Sequence, residues 1–268
     1  MITISILGIS LFSGNIPEAT RIVLDVINME KQGKKNRLIT ATNAHGLVIS
    51  KHNRHFKEIL NESYLNLPDG MPTVWLGKLK GKMKIERCYG PDFFTTVIKK
   101  TSEFDIKHFL CGGKNGIAEK LKEFCQSELN NNNIVGTYAP PFVEMNDVEI
   151  KMLASKINEV NTDILWLGLS CPKQEFLAHQ LKKLIRVHFI ITVGAAFDFH
   201  TGNVKQAPKW IQNIGMEWLF RLFVEPKRLW KRYFKVVPLF IYFNFLEFLR
   251  NHFITKSKYG SKVKNFFL

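Results

Sequence analysis

Short apolar segments alternate with segments of helical spacing through the first two hundred residues, and this alternation limits the folds open to the chain. Apolar runs rich in Val, Ile, Leu and Phe end near Thr42, Cys111 and Leu169, and amphipathic segments follow them. Strands that alternate with helices through short links are typical of a parallel sheet with helices on both faces. The sequence therefore predicts the α/β class.

The pattern is regular enough to place individual elements. The predicted strands are Ile2–Ile9, Asn36–Thr42, Tyr64–Leu67, Asp105–Cys111, a strand starting at Ile134, Asp163–Leu169 and Val187–Val193. Apolar residues at helical spacing predict helices over Pro17–Glu30, His45–Leu60, Gly90–Thr101, a segment ending at Gln126, Val148–Val160 and a segment from Phe176. We expect a Rossmann-like, mostly parallel sheet in residues 1–203, with residues 204–268 as a separate helical appendage.

Polar or glycine-rich turns follow most of these predicted strands. In open parallel sheets, ligands bind beyond the carboxyl ends of the strands. We therefore expect the turn residues to converge on one binding edge. They are Asn43, Gly112, Gly113, Gly136, Gln174 and Asp198.

Several of these turns have two readings. Asp69-Gly70 is a common turn dipeptide, so Asp69 is either a turn residue or a catalytic base. Asn43 can cap a helix or face a ligand. The turn at Gly112 and Gly113 can bring backbone N–H groups to a phosphate, but it lacks the full dinucleotide fingerprint, so NAD is rejected.

Residues 204–268 differ in composition from the rest of the chain. They hold 13 of the 38 Lys and Arg residues, only three of the 23 acidic residues, and 16 of the 33 aromatic residues, in a chain of net charge +15. Such a positive surplus predicts a polyanionic partner, which is nucleic acid, an anionic membrane or a phosphate-bearing substrate. We interpret this segment as a functional unit of its own.

The sequence shows no pattern typical of a metal site, a signal peptide or a membrane-spanning helix. The four cysteines have neither Cys-X-X-Cys nor metal-ligand spacing, so reduced thiols and no metal are expected. Cys171 is a weak candidate nucleophile without a nearby partner, and His45 is interpreted as a surface or capping residue. Met1–Leu11 lacks a basic n-region, and Val236–Leu249 is shorter than the roughly 18–20 residues of a spanning helix.

The ordered motifs resemble those of the WecG/TagA/CpsF glycosyltransferase family. The resemblance covers essentially residues 1–235, and Cys171–Glu175 and Ala207–Arg232 are its most specific parts. The motifs are a Thr/Asn turn ending at Asn43, then Asp69–Pro72, Glu86–Asp92, Gly112–Gly116, Pro172–Glu175, Gly194–Asp198, Ala207–Pro208 and Glu217–Leu222.

This resemblance implies an inverting glycosyltransferase without metal or cofactor, which moves a sugar from a UDP-sugar to polyprenyl-diphosphate-linked GlcNAc. N-acetylmannosamine is the expected sugar, with UDP-glucose, UDP-galactose or UDP-ManNAcA as alternative donors. It would act in teichoic acid, enterobacterial common antigen or exopolysaccharide synthesis, from the cytoplasm at the inner face of the cell membrane. Its partners would be donor, lipid-linked acceptor and anionic membrane surface, with a homo-oligomer left open and no nucleic acid.

The resemblance also assigns roles. The proposed base falls on Asp69, the active-site arginine on Arg87, and two further catalytic positions on Asn43 and Gln174. The remaining expected substrate contacts are Thr40, Thr42, Gly112, Gly113, Gly136, Asp198, Arg221, Arg228 and Arg232.

One departure from the family pattern concerns the first turn. Relatives often carry Thr-X-Asn there, whereas the residue two positions before Asn43 is Ala41. A substrate contact from a threonine hydroxyl is therefore not expected at position 41. The alternative from another class is a non-enzymatic nucleic-acid-binding protein that uses the basic, aromatic segment.

Overall fold

The computed structural model of the chain describes residues 2–30, 33–141 and 143–264, with side chains described up to residue 250. The strands are β1 (Thr3–Ile6), β2 (Ile9–Phe12), β3 (Arg37–Thr42), β4 (Leu65–Pro68), β5 (His108–Gly112), β6 (Ile134–Tyr138), β7 (Ile164–Gly168) and β8 (Phe189–Thr192). The helices are α1 (Ile16–Met29), α2 (Ala44–His52), α3 (Arg54–Asn61), α4 (Met71–Leu79), α5 (Gly90–Lys100), α6 (Ile117–Ser127), α7 (Asp147–Glu159), α8 (Lys173–Leu181), α9 (Ala196–His200), α10 (Lys209–Asn213), α11 (Glu217–Val224) and α12 (Pro226–Lys264).

A six-stranded, all-parallel sheet in the order β4-β3-β8-β7-β5-β6 forms the centre of the fold. Strands β4, β5, β7 and β8 are buried along their whole length. Strands covered on both faces carry continuous apolar runs, because no face is left for polar residues. The arrangement confirms the predicted α/β class.

The first predicted strand is wrong. Ile2–Ile9 does not form one strand of the main sheet. Instead β1 and β2 pair antiparallel as a hairpin of their own, with Thr3 opposite Phe12. The chain reverses at Leu7 and Gly8, whose φ angles are 53° and 79°. Two successive residues with positive φ give the tight turn that suits a two-residue hairpin.

The predicted helix His45–Leu60 is also wrong, because it is two helices. The backbone of Asn53 is extended, with φ −125° and ψ 105°, so the helical path breaks there. The Asn53 side chain then accepts a hydrogen bond from the Phe56 N–H at 2.8 Å and caps α3. The periodicity continues across the break, which is why the sequence suggested a single helix.

The C-terminal helix joins the core at the hairpin. Val236 and Phe240 of α12 are 7% and 8% exposed, and they share one apolar cluster with Leu11 of β2 and Leu47 of α2. Two other clusters lie against the faces of the main sheet. The start of α12 is therefore packed against the hairpin and α2 and is not a free tail.

The boundary at residue 203 stays a prediction, and residues 265–268 of the predicted appendage lie outside the described part. Within the described residues, no helix combines the length and the apolar character needed to cross a membrane.

Adjacent valines of α12 test this packing. We expect Val236→Ala to lower the free energy of unfolding by about 1–2 kcal/mol, because two buried methyl groups are lost. Val237 is 37% exposed, so Val237→Ala should stay within about 0.5 kcal/mol of wild type. Urea unfolding of both variants measures this. Equal destabilisation would contradict the docking of α12 on the hairpin.

Candidate active site

Asn43 and Asp69 follow adjacent parallel strands. Thr42 of β3 lies opposite Pro68 of β4, so the next residue of each chain segment emerges at the same edge of the sheet. The Asn43 side chain accepts hydrogen bonds from two N–H groups of the first turn of α2, and its amide donates to the Asp69 carboxylate at 3.4 Å. Asn43 therefore both caps α2 and contacts Asp69, so the two readings of this residue are compatible.

The Asp69 carboxyl group is fixed by the backbone around it. The Asp69 N–H donates to the Thr42 carbonyl at 3.1 Å, and the N–H of Gly90, at the start of α5, donates to Oδ1 at 2.8 Å. Burial raises the pKa of Asp69, while Arg87 and the Gly90 N–H act in the opposite direction. The result is a carboxylate that holds its proton more tightly than an exposed aspartate does.

Arg87 reaches Asp69 from the segment between α4 and α5. That segment lies against the end of β4, because the Cys88 N–H donates to the Pro68 carbonyl at 2.9 Å. The Arg87 Nε then donates to the Asp69 carbonyl oxygen at 2.8 Å, and the guanidinium stacks over the Tyr89 ring with Cζ 3.8 Å from its centroid. The structure thus places the predicted arginine beside the predicted base.

Two residues near the C-terminus complete the surroundings of Arg87. Glu217, the first residue of α11, forms a short ion pair with Nη2 and accepts a hydrogen bond from the Tyr89 hydroxyl at 2.8 Å. The Gln212 carbonyl oxygen accepts from Nη1 at 3.4 Å. Sequence reasoning did not name either residue as part of the site, although Glu217 belongs to a motif that carried the family resemblance.

Gln174 is buried in the first turn of α8. Its amide donates to Glu175 Oε1 at 2.8 Å, and its carbonyl oxygen accepts from the Gly194 N–H at 3.1 Å. Gln174 therefore joins the start of α8 to the turn after β8. Its neighbour Glu175 is also buried, which raises the pKa of its carboxyl to about 7.

The two predicted threonines lie inside β3. Thr40 donates to Asn66 at 2.6 Å, and the Thr40 and Thr42 hydroxyls are 2.7 Å apart. Both side chains are buried and point to the same face of the sheet, while Ala41 points to the opposite face. Neither threonine hydroxyl therefore lies on the face of β3 to which Ala41, two positions before Asn43, points.

Each predicted glycine is required at its position for a different structural reason. Gly112 ends β5 with φ 157°, and a Cβ there would lie 2.5 Å from the Gly168 carbonyl oxygen of the neighbouring strand. Gly113 follows with φ 70° and opens the turn toward α6. The prediction that Gly136 follows a strand is wrong. It lies within β6, where a Cβ would lie 2.4 Å from the Phe109 ring.

Asp198 lies in α9, beyond β8, away from the contacts that join Asp69 and Arg87. Its carboxylate accepts a hydrogen bond from Asn203 at 2.6 Å, and its carbonyl accepts from the Val204 N–H at 3.1 Å. Within the described contacts, Asp198 shapes the loop after α9.

The three predicted C-terminal arginines occupy different places. The Arg221 guanidinium lies 5.3 Å from the Phe199 ring centroid, and Arg228 pairs with Glu225 at 2.6 Å on the surface. Arg232 lies nearer to the carboxyl ends of the strands, because its positive charge acts to lower the pKa of both His45 and Cys171. The buried Nε atoms of Arg221 and Arg232 have no hydrogen-bond partner among the described residues.

His45 and Cys171 line the same edge of the sheet. Burial and the charge of Arg232 lower the pKa of His45 to about 4, so the ring is neutral at physiological pH. Burial and the nearby Glu175 raise the pKa of Cys171 well above its usual range, so the thiol stays protonated. A protonated thiol is a poor nucleophile. Across the described residues, no group of three or more His, Cys, Asp or Glu side chains could hold a metal ion.

Comparison with known proteins identifies the group to which this site belongs. The model of the glycosyl transferase WecG/TagA/CpsF family matches residues 4–253. The chain belongs to this family. It is therefore a glycosyltransferase, and the non-enzymatic alternative is set aside.

Two curated relatives in this glycosyltransferase family are N-acetylglucosaminyldiphosphoundecaprenol N-acetyl-beta-D-mannosaminyltransferases. The one from Bacillus subtilis (strain 168) is 29% identical over 199 residues, which cover 74% of this chain and 75% of the relative. The one from Bacillus spizizenii (strain ATCC 23059 / NRRL B-14472 / W23) is 28% identical over 201 residues, which cover 75% and 76%.

The environment of Asp69 predicts a stability cost. Its folded pKa is raised above the unfolded value, so stability falls as pH rises through that interval, when the folded carboxyl must ionise away from water. We expect Asp69→Asn to raise the melting temperature of the glycosyltransferase at pH 7 by a few degrees, since about 1 kcal/mol corresponds to about 2–4 °C. Asp198→Asn, at a carboxylate bonded to Asn203, should not do so.

Calorimetry at pH 7 compares the two variants. A lower melting temperature for Asp69→Asn than for wild type would show that the carboxylate stabilises the fold.

Proposed function

We propose that this enzyme transfers N-acetylmannosamine from UDP-N-acetylmannosamine to polyprenyl-diphosphate-linked GlcNAc, with inversion and with Asp69 as the general base. The observation that carries the proposal is the Asp69 carboxyl, fixed at the carboxyl edge of the sheet by Gly90 and Asn43 and raised in pKa by burial. The family match supports the reaction class, and the relatives' names support the donor sugar and the acceptor.

A general base suits the chemistry of an inverting transfer. The acceptor hydroxyl attacks the anomeric carbon from the face opposite UDP, and its proton passes to a carboxylate as the bond forms. An exposed aspartate has a pKa of about 3.9 and is a weak base. Burial makes Asp69 a stronger one, because the charged form is less well solvated.

The departing UDP develops negative charge that positive groups must stabilise. Arg87 lies next to the base, and charge-assisted hydrogen bonds from guanidinium groups are well suited to diphosphate oxygens. Arg232 acts on the same edge, and its buried Nε has no partner among the described residues. We assign both to the diphosphate, with Arg221 and Arg228 placed further out on the C-terminal segment.

The relatives' names and the outer face of α12 support the proposed acceptor and its place of action. A polyprenyl chain keeps the acceptor at a membrane, so the enzyme must work at that surface. Trp230, Phe234, Val237, Ile241 and Phe245 are exposed at spacings of three or four residues and so form one outward stripe on α12, 37–79% exposed.

Basic residues flank this stripe, including Lys227, Lys231 and Lys235. An apolar helix face bordered by lysines fits the interface of an anionic bilayer, and each basic residue near such a surface adds about 1 kcal/mol. We propose that α12 lies on the inner leaflet with this stripe inserted.

The role of Asp69 is tested by turnover. Asp69→Asn should reduce transfer from UDP-N-acetylmannosamine to a short-chain polyprenyl-diphosphate-GlcNAc analogue by at least about 100-fold, because a general base contributes about 10²–10⁴-fold. Binding of UDP should be retained, since the amide oxygen can still accept the hydrogen bond from the Gly90 N–H. The exposed Asp25→Asn serves as the matched control. Turnover of Asp69→Asn near that of the control would remove Asp69 from the mechanism.

Membrane docking through α12 is tested with vesicles. Phe234→Glu with Ile241→Glu should weaken binding to phosphatidylglycerol vesicles at least about tenfold, because burying one large apolar side chain contributes about 1.5–3 kcal/mol. The control places the same changes at Val148 and Met152 of α7, which are 66% and 59% exposed. Equal loss of binding in both pairs in a sedimentation assay would refute the assignment to α12.

A further inference from the structure

Glu217 is a buried carboxylate at the point where the C-terminal segment meets the base. It is 8% exposed, and both of its oxygens are used: one pairs with Arg87 Nη2, and the other accepts from the Tyr89 hydroxyl at 2.8 Å. Burial raises the pKa of Tyr89, so this hydroxyl keeps its proton and remains a donor. Burying a carboxylate is costly unless it is paired, and this one is paired on both sides.

The guanidinium of Arg87 is held from several directions at once. Its Nε is bonded to the Asp69 carbonyl, its Nη1 to Gln212 and its Nη2 to Glu217, while its face rests on the Tyr89 ring. Two of these four contacts come from residues more than 120 positions later in the chain. The position of Arg87 therefore depends on how the segment carrying Gln212 and Glu217 is seated.

That segment is seated on the helix that follows the base. Gly215, with φ 76°, lies between α10 and α11, and a Cβ at this position would meet the Trp75 ring of α4 at 2.6 Å. The Gln212 amide also donates to the Ala207 carbonyl at 2.7 Å, which fixes the side chain that faces Arg87. The close approach of Gly215 to Trp75 holds the start of α11, which carries Glu217, against α4.

We propose that Glu217 is a positioning residue of the transferase site, which holds Arg87 beside Asp69 and balances its positive charge. The proposal rests on the proposed function and deepens it. In this role Glu217 acts on the reaction through Arg87. Arg87 is then held beside Asp69 only when α10 and α11 are docked.

The site needs Glu217 because it must both stabilise the leaving diphosphate and keep Asp69 basic. A cation close to the base helps the leaving diphosphate, but it also stabilises the charged form of Asp69 and weakens it as a base. Glu217 opposes this effect, since its charge acts on Asp69 in the direction opposite to that of Arg87. With the carboxylate present, the arginine can stay near the base without removing its basicity.

The direct test follows the Asp69 carboxyl itself and needs no substrate. The protein is labelled with ¹³C at the aspartate carboxyl carbons, the Asp69 signal is assigned by its absence in Asp69→Asn, and its pH titration is recorded. Wild-type Asp69 should titrate above the usual range of about 3.9, and Glu217→Gln should move its midpoint downward. Glu58→Gln removes a carboxylate from an exposed ion pair and should leave the midpoint unchanged.

Kinetics separate positioning from a purely structural role. Glu217→Gln should lower kcat about tenfold or more without raising KM for the donor, because the freed guanidinium still attracts the diphosphate. Glu217→Asp keeps the charge and should restore the Asp69 midpoint toward the wild-type value. Tyr89→Phe removes one hydrogen bond to Glu217 but no charge, so it should leave the midpoint in place. Should Glu217→Gln not fold, a shifted midpoint in Tyr89→Phe, with no charge removed, would by itself overturn the electrostatic role of Glu217.

The outcomes distinguish the two claims. An unchanged Asp69 midpoint in folded Glu217→Gln, or a shift equally large in Tyr89→Phe, would overturn the role of Glu217 whatever the activity. Absence of sugar transfer by the wild-type enzyme would overturn the proposed function, while a midpoint shift in Glu217→Gln would still uphold the link between Glu217 and Asp69.

Discussion

Arg87 is hydrogen-bonded to the backbone of Asp69, and the other contacts of the site are arranged around these two residues. The carboxyl of Asp69 is partly shielded from water, which makes it harder to ionise, and a cation lies beside it. The two effects oppose each other, and their balance decides whether the carboxyl can take a proton from an acceptor. Gly90, Asn43 and Glu217 each shift that balance by a hydrogen bond or a charge.

The parallel sheet explains why these groups meet. Because β3 and β4 run side by side in the same direction, Asn43 and Asp69 emerge together although 26 positions separate them. Gln174 and Gly194 are joined in the same way after β7 and β8. Strands β4, β5, β7 and β8 are buried along their whole length, so polar side chains collect at the carboxyl ends of the strands, where they do not disturb the core.

The C-terminal segment contacts both the site and the hairpin. Through Glu217 and Gln212 it reaches into the site, and through Val236 and Phe240 it packs against the hairpin. Its outer face is left apolar and bordered by lysines. Seating the helix and completing the site are thus physically connected, which suits the proposed transfer to an acceptor held at a membrane.

Much of the fold and part of the site could be predicted from local patterns. Continuous apolar runs identify buried parallel strands, and residues after those runs, such as Asn43, are placed by the sheet. The Leu7-Gly8 turn and the break at Asn53 were missed because each depends on a backbone conformation at one or two residues, within segments whose periodicity looks continuous. Glycine alone did not reveal whether Gly136 bounds a strand or makes room for Phe109 within one.

The contacts of Arg87 with the C-terminal segment could not be predicted from the sequence. Glu217 pairs with Arg87 across 130 positions, and no local pattern in the sequence encodes a partner at that distance. The family resemblance pointed to the motif but not to the pairing. Such long-range pairs are set by how helices dock on the finished sheet, so the structure is needed to see them.

The pH dependence of kcat/KM for sugar transfer tests the central claim most directly. A base must be deprotonated to act, so the rate should fall as pH falls through the folded pKa of Asp69, which burial raises. We predict an acid limb with its midpoint above about 3.9, the value of an exposed aspartate. A rate that stays constant down to about pH 4, while the protein remains folded, would contradict the account of Asp69 as a buried general base.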